Sequence, residues 1–502
     1  MSQLLRTKSI DRLVEQSQEP GRKLRRTLGP LSLTALGVGA VIGTGIFILT
    51  GTAAAGETVA VPSVLKAPLI DLILHGADAV STRGRPGAGP GISLSFLLTA
   101  VACAFAALCY AELASMIPIA GSAYTYAYAT LGEIFAWIIG WDLILEYAVS
   151  NMAVAVGFSA YLNDLLEAVL GLRLPEKLSA PPIVGGAWSG NWFNLPALGI
   201  LMVLTALLVR GIRETASANT VMVLVKVAAI LIFVIGAGRA VRTENWHPFL
   251  PNGFQGMLTG AAIVFFTYIG FDSVSTAAEE CRRPQRDLPV AILLTLMLCA
   301  ALYMSVALVL TGIQNWQTLN NAAPVANALK ALGMDGIRRW VGVGAVVGMI
   351  SSMMVFQYGQ ARVWFAMSRD GLLPRFFSSV HPRFQTPHIS TWIAGFAVGI
   401  PAGIWDIGTF ADLSNIGTLF AFVVVSAGVI VLRRRQPERP RGFRVPLAPW
   451  TPLLSIAFCL VLMASLPLET WIRFFVWLGI GLAIYFAFGK KHSEFATTDA
   501  HR

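Results

Sequence analysis

The sequence predicts an all-α integral membrane protein with about twelve transmembrane helices. Three observations predict it. Of 502 residues, 55% are hydrophobic and only 13% charged, where a soluble domain carries about 25% charged residues. The mean hydropathy is +0.66. The charges cluster, and the apolar runs between them are long enough to cross a hydrocarbon core.

Taken in order, the runs cover 31–52, 92–117, 134–166, 195–209 and 218–238, then 256–276, 288–312, 340–367, 389–407 and 410–432, and finally 448–466 and 471–488. The third exceeds an upright crossing and predicts a tilted helix. An even count puts both termini on one side. Loops on that side hold about twice as many Lys and Arg as the opposite loops, so that side is expected to be cytoplasmic. Arg433, Arg434, Arg435, Arg439, Arg441 and Arg444 anchor it most firmly. The net charge of +10 therefore reads as orientation in a bilayer, not as nucleic-acid binding.

The chain divides into a basic tail over 1–30, a ten-helix core over 31–432, a basic loop with two additional helices over 433–488, and a tail over 489–502. Residues 57–91 form an external insertion. Its part 59–74 is apolar enough for a short interfacial helix, and 83–91 is Gly- and Pro-rich and reads as an irregular loop. The first 26 residues lack the apolar stretch of a cleavable signal. The five cysteines have no spacing that suggests a disulfide framework, a redox pair or a metal site, and read as small core residues.

Two spans are expected to break. The first carries Gly43-Thr44-Gly45, where small residues let the backbone leave helical geometry at mid-membrane depth. Freed N–H and C=O groups cannot face lipid, so they must face a protein-lined cavity. The resumed half-helix then aims its amides at a negative group such as a carboxylate. The alternative is close helix packing of the GxxxG kind. A dinucleotide fingerprint is excluded, since the third glycine would fall at Ile42 and no strand precedes it. In the sixth span Phe265-Phe266-Thr267-Tyr268-Ile269-Gly270-Phe271-Asp272 has Gly270 near its centre. Interrupted spans one and six hold matching positions in two five-helix halves, the pointer to a five-plus-five inverted-repeat transporter with a midplane site.

Ionisable groups inside spans are Asp142, Glu146, Lys226, Asp272 and Arg362. Each costs at least a few kcal/mol if unpaired in hydrocarbon. Asp142 and Glu146 share one helix face. Lys226 stands alone among apolar neighbours, about eight residues into its span, too deep for easy snorkelling. An ammonium there must find partners or give up its proton, which makes it a candidate for proton exchange; a structural ion pair with Glu146 or Asp272 is the alternative. Arg362 lies near the cytoplasmic end of its span and reads as an anchor.

These residues carry a resemblance. Gly37 to Phe47, Tyr110-Ala111-Glu112 with Gly121-Ser122-Ala123-Tyr124, and Gly140 to Tyr147 are its first pieces. Tyr268 to Asp272, Ala277 to Glu280, Pro284 to Asp287 and Asn415 to Phe422 complete it. Over nearly its whole length the chain resembles the cationic amino acid transporter family of the amino acid–polyamine–organocation superfamily. The resemblance implies the inverted-repeat core with two extra helices. It implies an amino acid substrate, cationic or neutral, whose carboxylate meets amides at Gly43, Thr44 and Gly45. The α-amino group would meet carbonyls at Ile42, Phe266, Thr267 and Ile269. Lys226 would bridge the first span to Ser351 or Ser352, taking the place of sodium in related carriers. Glu146 and Asp272 match acidic positions near the substrate side chain. The implied function is import across the cytoplasmic membrane by proton-coupled alternating access, with exchange as the alternative. The insertion 57–91 departs from the family, which joins these spans by a short loop.

An enzyme would gather His, Asp or Glu at an interface, whereas His75, His247, His381, His388, His492 and His501 lie in loops or tails without metal-ligand spacing. A channel or metal carrier would want rings of carboxylate, sulfur or carbonyl; Met353 and Met354 read as core. No enzyme activity, cofactor or metal is expected.

Overall fold

The computed structural model describes residues 3–11, 13, 28–57, 63–76, 85–119, 121–210, 215–384 and 386–493. Among these, eight helices are long and apolar enough to cross a membrane, and the bent pair Pro30–Val41 with Gly45–Ala55 makes a ninth. Three further runs, at the fourth, ninth and eleventh expected spans, form Leu195–Arg210, His388–Ala402 and Trp450–Ala464, helices of 16, 15 and 15 residues. Each is shorter than the ~20 residues of a full upright crossing. Among the described residues, strand is confined to two two-residue antiparallel pairings in loops.

Burial separates centre from periphery. The best membrane windows of Glu133–Leu170, Gly253–Glu280 and Asp335–Arg369 are 83%, 89% and 78% buried, against 22% for Leu468–His492. The central elements are rich in Gly, Ala and Ser, which let helices approach closely, while the last helix presents Phe475, Val476 and Ile480 outward. Glu133–Leu170 packs against Asp335–Arg369 and Ile407–Arg435, and Ile92–Met116 packs against Pro284–Ile313.

Both expected breaks are present. The first span stops at Val41, turns at Ile42 (φ −80°, ψ 89°), and resumes as a π-helical turn over Gly45–Leu49 before Thr50–Ala55. Its halves are bent by 46°. π-Turns of this kind are frequent at functional sites. The sixth span runs as Gly253–Val264, tightens to a 3-10 turn over Phe265–Tyr268, and opens at Ile269 and Gly270. Gly270 has φ +111°, a value that a side chain strains, so glycine is required there. A second 3-10 stretch, Phe271–Glu280, follows.

Helices also lie between the expected spans, among them Ser122–Thr130 and Pro324–Ala331. In the insertion, a helix spans Leu69–His75, and Arg85–Pro86 pairs with Gly56–Glu57. Parts of the expected interfacial helix and loop, 58–62 and 77–84, lie outside the described residues. Lys8 and His492 meet neighbouring residues of one turn: Lys8 Nζ pairs with Asp370 at 3.0 Å, and His492 packs on Gly371.

Candidate functional site

The two breaks abut, and a small void of about 10 Å³, space for a single water molecule, lies between them. It is lined by Ala40, Val41, Gly43, Thr44 and Gly45 of the first span, and by Phe266 and Ile269 of the sixth. Val154 and Phe356 from the two long central helices close it. The contact between the breaks is tight. A Cβ built on Gly45 would stand 2.5 Å from Thr267 Cγ2 and 2.9 Å from Thr267 Cα. The start of a helix leaves its first amides without intrahelical acceptors, and here those residues border the void.

The freed carbonyls of the first break are taken up by Lys226 and Ser352. Lys226 Nζ donates to Gly39 O at 2.7 Å and Ile42 O at 2.8 Å. Ser352 Oγ lies 2.9 Å from Gly39 O and 3.1 Å from Ile42 O, so the two donors share the same acceptors. Lys226 thus shares polar acceptors with Ser352 rather than bonding directly to a serine, and its aliphatic stem lies against Gly348 of the eighth expected span. Its side chain is fully buried, and no ion pair engages it among the described residues. Ser351 turns to Asn219 Oδ1 at 2.7 Å, and Asn219 donates to Ala35 O at 3.3 Å.

Tyr303 joins the breaks from outside the void. Its hydroxyl lies 2.9 Å from Val41 O and 2.8 Å from Thr267 O, one proton serving both carbonyls. Thr44 Oγ1 donates to Val154 O at 3.3 Å. Tyr303, Asn219, Val154 and Phe356 escaped the sequence reading. Tyr303 and Asn219 carried a usable signal, since a polar side chain inside an apolar run needs a partner. Val154 and Phe356 carried none.

The acids form a separate group. Glu146 and Asp272 do not line the void. Asp272 Oδ2 accepts from Ser122 Oγ at 3.5 Å, while Asp272 Oδ1 and both oxygens of Asp142 and Glu146 are buried with no hydrogen-bond partner among the described residues. The hydroxyls of Tyr110, Tyr126 and Tyr147 are likewise unpartnered. Arg362 pairs with Glu280 at 3.0 Å and stacks on Tyr358, tying the end of its helix to the end of the sixth span.

A family model for amino acid permeases matches residues 28–486. The chain belongs to the amino acid permease family. Among similar proteins is the methylthioribose transporter of Bacillus subtilis (strain 168), 45% identical over 493 residues, covering 98% of this chain and 99% of that one. The branched-chain amino acid permease BcaP of the same organism is 44% identical over 494 residues, 98% of each chain. Cationic amino acid transporter 9, chloroplastic, of Arabidopsis thaliana is 32% identical over 570 aligned positions, covering 99% of this chain and 94% of that one. The permease is therefore a multi-pass membrane transporter and not an enzyme.

Proposed function

We propose that this permease imports neutral amino acids with apolar side chains across the cytoplasmic membrane, by proton-coupled alternating access. It would do so with a five-plus-five inverted-repeat core, two additional helices, about twelve crossings and both termini cytoplasmic. The observation that carries the substrate class is the wall of the void. Polar backbone at Gly43, Thr44 and Gly45 faces Val41, Val154, Phe266, Ile269 and Phe356, with no carboxylate on the lining. Amides at the resumed half-helix suit an α-carboxylate. The carbonyl at Ile269 suits the ammonium, since Ile42 O, Phe266 O and Thr267 O already accept internal donors. The apolar walls suit an aliphatic side chain and offer a cationic one no counter-charge. Glu146 and Asp272 are assigned to a polar region beyond the void.

The relatives' names give three cargoes: a methylthioribose, branched-chain amino acids and cationic amino acids. A binding experiment separates them. Purified permease should bind radiolabelled leucine or valine, and unlabelled leucine, isoleucine or valine should displace it. Lysine, arginine and methylthioribose at the same excess should not. Displacement by lysine, together with a loss of lysine binding greater than that of leucine in Glu146→Gln, would return the substrate class to cationic. Displacement by methylthioribose alone would remove the amino acid reading.

A further inference from the structure

The described parts of the insertion, 63–76 and 85–91, are bonded to both broken spans on one side of the void. Its two ends are zipped together, Gly56 opposite Pro86 and Glu57 opposite Arg85. Ala88 N donates to Ala53 O at 2.9 Å, which fixes the returning end on Thr50–Ala55, the resumed half of the first span. Asn252 Nδ2 donates to Gly87 O at 2.8 Å, and Gly91 N to Phe249 O at 2.8 Å. Gln255 Nε2 donates to Asp71 Oδ2 at 2.9 Å. These three bonds hold the entry of Gly253–Val264, the helix that leads into the second break.

Two further anchors lie off the broken spans. Arg85 Nη1 bonds Asp412 Oδ1 at 2.8 Å, near the start of Ile407–Arg435, with the side chains 5% and 15% exposed. At the start of the last helix, Lys66 pairs with Glu469 at 2.8 Å. There Leu69 N donates to Leu466 O and Leu468 N to Ala67 O, both at 3.0 Å.

We propose that the described stretches 63–76 and 85–91 form a strap that holds its side of the transport pathway shut, with Arg85–Asp412 as the latch. The stretch 85–91 by itself bonds the half-helix that follows the first break and the entry of the half-helix that precedes the second. Halves of a broken helix can swing at the break, and a tie between them and two outside elements opposes that swing. The latch is suited to release. Burying an ion pair costs desolvation that its Coulomb energy roughly returns, whereas both charges are rehydrated on opening. The closed and open states therefore stay close in energy, as a gate requires, while a purely apolar contact would be lost to water at full cost.

The test reads accessibility rather than transport, so it stands apart from the substrate assignment. A reporter cysteine at Phe356, on the void, is modified by a small membrane-impermeant thiosulfonate in vesicles of either orientation. The parent's five cysteines are buried and set the background. Arg85→Gln and Asp412→Asn should each raise the modification rate about tenfold from the strap's side, the scale of a lost hydrogen bond to a charged group. The reversed pair, Arg85→Asp with Asp412→Arg, should bring the rate back toward the parent's. If Arg85→Gln does not reach the membrane, Asn252→Ala removes one neutral bond to Gly87 and should shift the rate in the same direction by a smaller factor. Inserted variants with unchanged rates would overturn the strap. A reversed pair as fast as the single variants would overturn the latch.

Discussion

Gly45 concentrates the demand on the site. Its α-carbon stands where the two breaks meet, and the atoms a Cβ would strike include the backbone of Thr267. Backbone cannot rotate away as a side chain can, so bulk there must part the two spans. Gly45→Val is expected to abolish uptake while leaving the amount of protein in the membrane unchanged. Uptake near the parent's level in a well-inserted variant would reduce Gly43-Thr44-Gly45 to a packing motif. The sequence made this position legible because two glycines around a hydroxyl in an apolar run are hard to explain by hydrophobicity alone. It did not make Tyr303 legible as the residue that shares one proton between Val41 O and Thr267 O. That role depends on two carbonyls brought together from positions far apart in the chain.

Among the elements, the arginine-rich loop after Ile407–Arg435 does more than mark a side of the membrane. Glu112, at the end of Ile92–Met116, accepts Arg433 Nε at 2.9 Å, Arg441 Nε at 3.2 Å and the Val445 amide at 2.7 Å. Its side chain is 1% exposed, and that of Arg441 4%. The core is thereby clamped to the chain that leads into the last two helices. Glu112→Ala leaves buried guanidinium without its carboxylate, a change that costs about 3–5 kcal/mol. The purified variant should melt at a clearly lower temperature. Arg434→Ala, at an exposed position, should stay within about 0.5 kcal/mol of the parent. Equal melting shifts for the two would sink the clamp. The helix Ser122–Thr130 was not legible for a related reason. Its alternating Tyr and Ala give no apolar run, and its residues are buried by neighbours that the local sequence does not contain.

At the scale of the whole molecule, the proposed proton coupling would join energy supply to shape through Lys226. Protonated, it donates to Gly39 O and Ile42 O, carbonyls that Ser352 of the long helix Asp335–Arg369 also engages. Deprotonated, it loses the charge that draws it to those carbonyls, and the joint between the first span and that helix loosens. Uptake should rise on an inward proton gradient, ignore sodium, and collapse with a protonophore. Lys226→Met should lose the response to the gradient even if binding survives. Full gradient-driven accumulation in that variant, or a parent driven by sodium, would reject coupling through this lysine and favour exchange.

The sequence by itself determined the membrane class, the family resemblance and where two spans break. Each follows from local composition: apolar runs set the spans, and glycines flanked by polar groups leave the backbone free to depart from them. It could not say what the freed carbonyls would meet or which side chains would wall the void. Only the tertiary structure decided that Ile42 O belongs to Lys226 and Ser352, that Val154 and Phe356 line the cavity, and that Glu146 and Asp272 stand off it. Those contacts join residues separated by tens to hundreds of positions, and helix packing, not local pattern, fixes which of them meet.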